Sequence, residues 1–251
     1  LPIDLKRTRI DMLSLSGHKL HAPKGIGVLY LRRGTRFRSL LRGGQQERGR
    51  RPGTENSAAI VGLGKAAELA LAHIATENNE VRFLRDKLER GILAKVPQAF
   101  PTGELNNRLP NTSNIAFEYV EGEGILLLLN KLGIAASRGS ACTSGSLEPS
   151  HVMRAMGIPY TAAHGTIRFS LSRYNTSAEI ESTIEAVPPI IAQLRKISPY
   201  WTEATNAPSS QGDKPGIHCV LTTAHMPLRE VASTLNTQRI LDVITLGHNA
   251  M

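Results

Sequence analysis

One cysteine in this chain lies in a segment with the composition of a mobile loop. Residues 137–150 read SRGSACTSGSLEPS, so Cys142 is surrounded by small, polar and glycine residues. That composition predicts an irregular loop rather than a core segment. Two interpretations stand. Cys142 is either a small buried or surface residue without a chemical role, or a nucleophile on a moving arm, since the thiolate is the attacking form of cysteine.

A lysine lies at the end of a predicted strand. Residues 16–19 (SGHK) read as a turn between two apolar runs, 10–15 and 25–31, which are predicted strands. We expect the second strand to be buried on both faces, with Lys19 partly desolvated at the strand end. Desolvation favours the neutral amine that imine formation requires. A solvated loop lysine is the alternative.

An arginine on a predicted strand has the setting of a carboxylate receptor. Residues 166–171 (TIRFSL) alternate, which places Arg168 on one face with Thr166 and Ser170, opposite Ile167 and Phe169. A guanidinium beside small hydroxyls suits a carboxylate, which it binds through two parallel N–H donors. A surface salt bridge is the alternative for Arg168.

Helices and strands must position these residues. The pattern predicts a helix from Ile60 to Ile74, with Thr54 or Asn56 as its N-terminal cap, and a second helix from Val81 to Val96. The polar residues 76–79 between them are a predicted break and a candidate domain boundary. Within the first helix, Gly62 and Gly64 imitate a dinucleotide fingerprint, but no strand or turn precedes them. We interpret both as helix-packing residues.

The second half of the chain alternates between strands and helices. The remaining predicted elements are a strand at 113–117, a helix at 122–132, a strand-like run at 133–136 before the cysteine loop, a helix after the loop and a helix at 177–198. The helix after the loop is predicted to have Pro149 at its first position and Val152, Met153 and Met156 on its apolar face. Residues 206–216 read as a linker.

Charge is concentrated in one stretch. The 251-residue chain has a formal net charge of +9, and residues 32–51 hold eight arginines and one acid, Glu47. With a single aromatic, Phe37, this stretch lacks a stacking platform for bases, so we expect no nucleic acid as a partner. Its glycines and arginines instead suit an anion.

The remaining composition excludes several classes of protein. Hydrophobic content of 41% and charged content of 20% are globular values. The longest uninterrupted apolar run, Ile125–Leu129, is far too short to span a membrane, so we expect no membrane partner. The two cysteines, Cys142 and Cys219, form no disulfide framework, and the expected location is the cytoplasm.

Four segments in the same order resemble the cysteine desulfurases, a group of class V aminotransferase-fold enzymes. Residues 16–27 resemble the cofactor-lysine segment, residues 48–56 the phosphate-contacting loop, residues 140–152 the persulfide loop and residues 166–171 the substrate-carboxylate strand. Residues 158–165 and 198–201 favour the nitrogen-fixation branch. The resemblance ends near Trp201.

The resemblance implies a role for each candidate residue. Lys19 would bind pyridoxal 5′-phosphate as a Schiff base, Ser16 and His18 would contact its phosphate, Thr54 would reach the phosphate of the neighbouring subunit in a homodimer, Arg168 would bind the substrate carboxylate, and Cys142 would be the nucleophile. The implied reaction converts L-cysteine to L-alanine and leaves a persulfide on Cys142. An iron–sulfur scaffold protein would accept the sulfur for cluster assembly, in this branch for nitrogenase. Contact between the Cys142 persulfide and a transient iron–sulfur cluster is a further expectation.

The resemblance also implies an α/β fold with two domains, of which the large domain is represented only in part. The chain corresponds to the C-terminal part of a fold-type I pyridoxal-phosphate enzyme. Residues 1–75 would be a remnant of the large domain, 76–203 the small C-terminal α/β domain and 204–251 a divergent tail. The family's ring-stacking histidine and its aspartate partner of the pyridine nitrogen have no counterpart here, so the chain alone is expected to be inactive. A related lyase and a non-catalytic anion-binding fragment are the alternatives.

Overall fold

The computed structural model describes residues 3–138, 150–202 and 207–208. It divides at Arg195: residues Leu1–Arg195 belong to one unit, and the chain from Lys196 belongs to a second. In the second unit the described strands are β6 (Trp201–Thr202) and β7 (Ala207–Pro208), which pair antiparallel. All other elements below belong to the first unit, apart from the last residue of its final helix.

The N-terminal elements form a two-stranded antiparallel sheet. Strands β1 (Met12–Ser16) and β2 (Gly27–Leu31) pair with each other, and a 3-10 helix, Gly17–Leu20, follows β1. The expectation that the second strand is buried on both faces is wrong, because Val28 and Leu29 are about half exposed. No described element covers either face of this pair, so strand composition alone cannot bury it.

A long helix connects this sheet to the rest of the unit. A single helical turn, α1 (Gln46–Gly49), precedes α2 (Ser57–Lys95). Asn56 caps α2, since its side-chain oxygen accepts from the backbone N–H of Ala59 at 3.2 Å. The predicted break at 76–79 is wrong, because these polar residues include neither glycine nor proline and the helix continues through them. The division into domains at 75 remains a prediction.

The first half of α2 has an apolar and largely exposed surface. By length and composition α2 is long enough to span a membrane, which the sequence expectation of short apolar runs did not anticipate. Length and composition are a weak indicator, since core helices of soluble proteins meet the same test. Lys65 and Glu68, which form an ion pair at 2.7 Å, lie on this helix.

The hydrophobic core lies between α2, α6 and a three-stranded antiparallel sheet. Its strands are β3 (Ala99–Pro101), β4 (Thr112–Phe117) and β5 (Thr166–Ser170), with β4 in the centre. The remaining helices are α3 (Gly122–Lys131), α4 (His151–Ala155), α5 (Tyr160–Ala163) and α6 (Ser177–Lys196). Phe117, Ile125 and Ile167 are fully buried in this core.

Two expectations around the cysteine loop change. The run 133–136 is not a strand; the chain there forms only an isolated bridge between Ser137 and Arg168. Helix α4 begins at His151 with Ser150 as its cap, whereas Pro149 lies outside the described residues. On its predicted apolar face Met153 is buried, but Val152 and Met156 are exposed.

Candidate functional site

Arg168 lies on β5 with a free donor. Its neighbours along the strand, Ile167 and Phe169, are buried in the core, so its side chain is on the opposite face, as the alternation predicted. Within the described part of the chain, its buried Nε has no hydrogen-bond partner. A buried N–H without a partner costs free energy that a bound acceptor would recover. A carboxylate oxygen has the geometry to accept a hydrogen bond from this N–H.

Described residues on both sides of the cysteine loop contact Arg168 or its cross-strand neighbour. Ser137 exchanges two backbone hydrogen bonds with Arg168, at 2.7 and 3.1 Å. Asn114 is paired with Arg168 across the β4–β5 ladder, and its Nδ2 lies 3.9 Å from Sδ of Met153. Cys142 itself lies outside the described residues. The described residues on either side of segment 139–149 therefore contact this pair: Ser137 contacts Arg168, and Met153 contacts Asn114.

Asn114 is a polar site residue that the sequence reasoning missed. Its Nδ2 donates to Oγ1 of Thr102 at 2.6 Å, and its buried Oδ1 has no partner among the described residues. Because paired residues on adjacent strands point to the same face, Asn114 and Arg168 present an unused acceptor and an unused donor side by side. An amide next to the apolar residues Ile115–Phe117 of the same strand was the signal available in the sequence.

A buried ion network holds β4 in register beside this pair. Arg108 donates two hydrogen bonds of 2.7 Å to the Glu89 carboxylate, and Ser113 donates a third at 2.6 Å. Burial alone would raise the pKa of Glu89, but the hydrogen bonds from Arg108 and Ser113 outweigh it and lower that pKa below its usual value of 4.5. Glu89 is therefore charged at neutral pH, and the network stays closed.

Lys19 lies on an exposed helical turn, which we call the lysine turn (Gly17–Leu20). Ser16, His18 and Lys19 are all exposed in this structure, so the expected desolvation of Lys19 is wrong for the described residues. The turn itself is tightly built. Gly17 donates to the carbonyl of Ile26 at 2.9 Å, and a Cβ at Gly17 would lie 2.9 Å from that same oxygen.

The lysine turn fits part of a pyridoxal-phosphate site. A lysine amine, a hydroxyl and an imidazole on three neighbouring exposed positions, Lys19, Ser16 and His18, are donors of the kinds that an imine and a phosphate need. Thr54 is exposed as well. These residues would hold the cofactor from one side only.

A basic cavity lies beside the turn α1. It has a volume of about 420 Å³, and its lining includes Arg33, Arg48 and Arg50. Arg32 also lines it, but its guanidinium already donates to the carbonyls of Leu5, Thr8 and Ile10. The expectation of an anion site in the arginine-rich stretch is thus compatible with the structure.

The described residues contain no metal centre. Across 3–138, 150–202 and 207–208, no group of three His, Cys, Asp or Glu side chains could hold a metal ion. The expected cluster contact through Cys142 lies outside these ranges.

Comparison with known proteins identifies the family. The family model "Aminotransferase class-V" matches residues 1–182. The chain belongs to the class V aminotransferase family. "Cysteine desulfurase NifS" of Azotobacter vinelandii is 76% identical over 202 residues, which are 80% of this chain and 50% of that protein. A "Cysteine desulfurase" of Azotobacter chroococcum mcd 1 is 72% identical over 204 residues, with the same coverage.

Solved structures agree with the class V fold. A "NIFS-LIKE PROTEIN" structure matches with a TM-score of 0.69 at 35% identity, covering 77% of this chain and 50% of that one. "SspA in complex with cysteine" matches with a TM-score of 0.52 at 35% identity, covering 69% of this chain and 47% of that one. The chain spans about half the length of the relatives it matches.

These findings confirm the family resemblance and the α/β fold class of fold-type I pyridoxal-phosphate enzymes. The family implies pyridoxal phosphate as cofactor. The individual roles of Lys19, Ser16, His18, Thr54 and Arg168 remain predictions, as does that of Cys142.

Proposed function

We propose that the protein to which this chain corresponds is a cysteine desulfurase of the nitrogen-fixation branch. One observation supports this most directly: Ser137, which precedes the segment that contains Cys142, is hydrogen-bonded to Arg168, whose buried Nε has no partner in the described part of the chain. A carboxylate bound by Arg168 would hold an amino acid within reach of that segment. A cysteine in this loop also argues against a related lyase or aminotransferase.

Lys19 and Arg168 have different roles toward the substrate. Arg168 binds the carboxylate of L-cysteine and orients the amino acid. The Lys19 amine accepts the proton from Cα as a general base. When bound, pyridoxal phosphate supplies the electron sink for this chemistry. Ser16, His18 and, from a second copy of the chain, Thr54 would donate hydrogen bonds to its phosphate.

Cys142 takes the sulfur. Its thiolate attacks the substrate sulfur, a new S–S bond forms, and the Cβ–S bond breaks with its electron pair left on the carbon skeleton. Protonation of that skeleton gives L-alanine. The balance is one L-cysteine and one thiol converted to one L-alanine and one persulfide, without an external oxidant. A loop position suits Cys142 because the persulfide must then leave the pocket for an acceptor.

The remaining assignments depend on the resemblance to the nitrogen-fixation branch. They are a homodimer, transfer of sulfur to an iron–sulfur scaffold protein for nitrogenase, contact of the Cys142 persulfide with a transient iron–sulfur cluster, and a cytoplasmic location. The exposure of Thr54 supports the dimer assignment, since a residue that reaches a second copy must be accessible.

A second candidate function is a non-catalytic anion-binding role. The cavity lined by Arg33, Arg48 and Arg50 favours it. Reductive trapping separates the two functions. The chain is incubated with pyridoxal phosphate, reduced with borohydride and digested, and the labelled peptide is identified. A label on Lys19 supports the desulfurase, whereas a label confined to Lys24 or Lys65 contradicts it.

The sulfur step is tested in a longer chain. Because the chain covers half of the Azotobacter vinelandii relative, a chimera that joins the missing half of that relative to this chain provides a full-length enzyme. We expect Cys142→Ser in the chimera to bind cofactor but form no persulfide, and Cys219→Ser to behave like the unmodified chimera. Sulfide release by Cys142→Ser would show that the nucleophile is elsewhere. The chain alone is expected to give no alanine.

A further inference from the structure

Tyr174 contacts His21, the residue that follows the lysine turn. The rings of His21 and Tyr174 meet edge to face, with centroids 5.0 Å apart and an interplanar angle of 80°. His21 follows Lys19 by two residues, and Tyr174 follows Arg168 by six. The contact therefore joins the two segments whose residues are proposed to handle the substrate.

The backbone of His21 is in a strained conformation. Its φ of 64° and ψ of 21° place it in the left-handed region, which is uncommon for a residue other than glycine. Its N–H donates to the carbonyl of His18 at 3.2 Å, and the next N–H, of Ala22, donates to Gly17 at 3.1 Å. Such strain persists where the surroundings hold the residue in place, and a ring packed on His21 is one such restraint.

Tyr174 is itself fixed by its neighbours. Its hydroxyl oxygen accepts a hydrogen bond from Nη2 of Arg173 at 2.9 Å. Nη1 of the same guanidinium lies 3.4 Å from the Glu77 carboxylate on α2. The N–H of Ser172 donates to Oδ1 of Asn175 at 2.9 Å, which closes a tight turn at 172–175. Tyr174 is thus presented from a turn that is tied to α2 by an ion pair.

The segment that follows the lysine turn packs on the same helix. Ala22 is buried against Leu63 and Ala66 of α2, with Ile26 beside them. Helix α2 therefore supports the turn through Leu63 and Ala66, and supports the 172–175 turn through Glu77. The two residues that follow the lysine turn, His21 and Ala22, therefore contact Tyr174 and α2 respectively.

We propose that His21 and Tyr174 are positioning residues that fix the lysine turn relative to the strand that carries Arg168. This inference deepens the proposed function and rests on it. An amino acid held through its carboxylate on Arg168 must present its Cα to the Lys19 amine, and a misplacement of about 1 Å can cost about 100-fold in rate. The contact maintains that alignment without touching the substrate.

Hydrogen–deuterium exchange of the chain as given tests the contact. Tyr174→Ala removes the ring, and we expect the amides of His21 and Ala22 to exchange about two- to tenfold faster, as loss of an edge-to-face pair implies. Tyr174→Phe keeps the ring and loses only the hydroxyl, so it should restore slow exchange. Amides of β4 should be unchanged in both variants.

Tyr160→Ala is the matched control. Tyr160 is an exposed tyrosine that also meets a histidine ring, His164, at 4.5 Å, but in another part of the unit. Wild-type exchange at His21 in Tyr174→Ala, or equal acceleration in Tyr160→Ala, would overturn the proposal.

Borohydride labelling of Lys19 with pyridoxal phosphate is the second measurement. We expect Tyr174→Ala to need a several-fold higher pyridoxal phosphate concentration for half-maximal borohydride labelling of Lys19, and Tyr174→Phe to match the wild type. Equal labelling curves for Tyr174→Ala and wild type would overturn the positioning role. If the wild-type chain takes no label on Lys19 at any concentration, the cofactor assignment fails, and the exchange result still decides whether the contact orders the turn.

Discussion

The lysine turn and the Arg168 strand belong to regions with very different support. Around Arg168, the buried apolar side chains of α2, α3, α6 and the three-stranded sheet form one continuous core. Around Lys19, the described buried cluster contains only Ala22, Leu63 and Ala66. Leu15, Val28 and Leu29 on the two-stranded sheet remain exposed. One functional residue therefore lies on a packed scaffold and the other on a lightly supported turn.

This difference indicates that the global stability of the unit and the chemistry at Lys19 depend on different parts of the molecule. Apolar burial contributes about 25 cal/mol per Å², so substitutions in the large core act on the whole unit. The β1–β2 pair has no described third strand, and two-stranded sheets are marginal by themselves. Changes near Lys19 should therefore alter local order more than global stability. Four predictions test this contrast, beginning with the largest expected effect.

Truncation of a core aromatic should destabilise the unit strongly. Phe117 on β4 is fully buried, and we expect Phe117→Ala to lower the free energy of unfolding by about 3–5 kcal/mol. Phe83 on α2 is 62% exposed, and Phe83→Ala should change it by less than about 0.5 kcal/mol. Urea denaturation of both variants measures the difference. Equal effects would mean that the core does not lie where the structure places it.

A side chain at Gly165 should be poorly tolerated. A Cβ there would lie 2.0 Å from the backbone oxygen of Phe117 and 2.9 Å from that of Val120. Backbone atoms cannot rotate away, so Gly165→Ala must displace the start of β5, at about 1–3 kcal/mol. Thermal unfolding measures the loss. A variant as stable as the wild type would contradict the close packing of α5 and β5 on β4.

Acid should weaken the sheet through Glu89. Because its pKa in the folded chain lies below 4.5, its stabilising contribution is complete above pH 4.5 and is lost as pH falls through the folded-state pKa. Glu89→Gln should cost about 1–3 kcal/mol at pH 7 and reduce the dependence on pH below 4.5. Unfolding curves from pH 7 to 3 measure both. Glu181→Gln, at an exposed ion pair with Lys87, is the control and should have little effect.

Two glycines in α2 should respond differently to substitution by alanine. A Cβ at Gly62 would meet the Pro23 ring at 2.9 Å, whereas a Cβ at Gly64 would meet nothing within 4 Å. Gly64→Ala should therefore stabilise the chain by about 0.5–1 kcal/mol through helix propensity. Gly62→Ala should lose that gain, because it disturbs the packing of the lysine-turn segment on α2. Identical melting temperatures for the two variants would show that this packing contributes nothing.

The same glycines show how far the sequence interpretation reached. Both were interpreted as helix-packing residues; this is correct for Gly62, and Gly64 packs against nothing in the described residues. Strands at 113–117 and 166–171 were predicted to within a residue or two, because alternation on a half-buried sheet is a local property. The break at 76–79 was wrong, since local polarity does not end a helix that gains tertiary contacts on both sides.

The sequence by itself determined the order of the motifs around Lys19, Arg168 and Cys142, and with it the family. Those motifs consist of residue types at short spacings, which the chain carries without folding. Only the tertiary structure decided that Asn114 lies beside Arg168, that Ser137 and Met153 on either side of the cysteine loop contact this pair, and that Tyr174 contacts His21. These pairs join residues tens to more than a hundred positions apart. Burial and pairing across such distances depend on which surfaces meet, and local propensity does not contain that information.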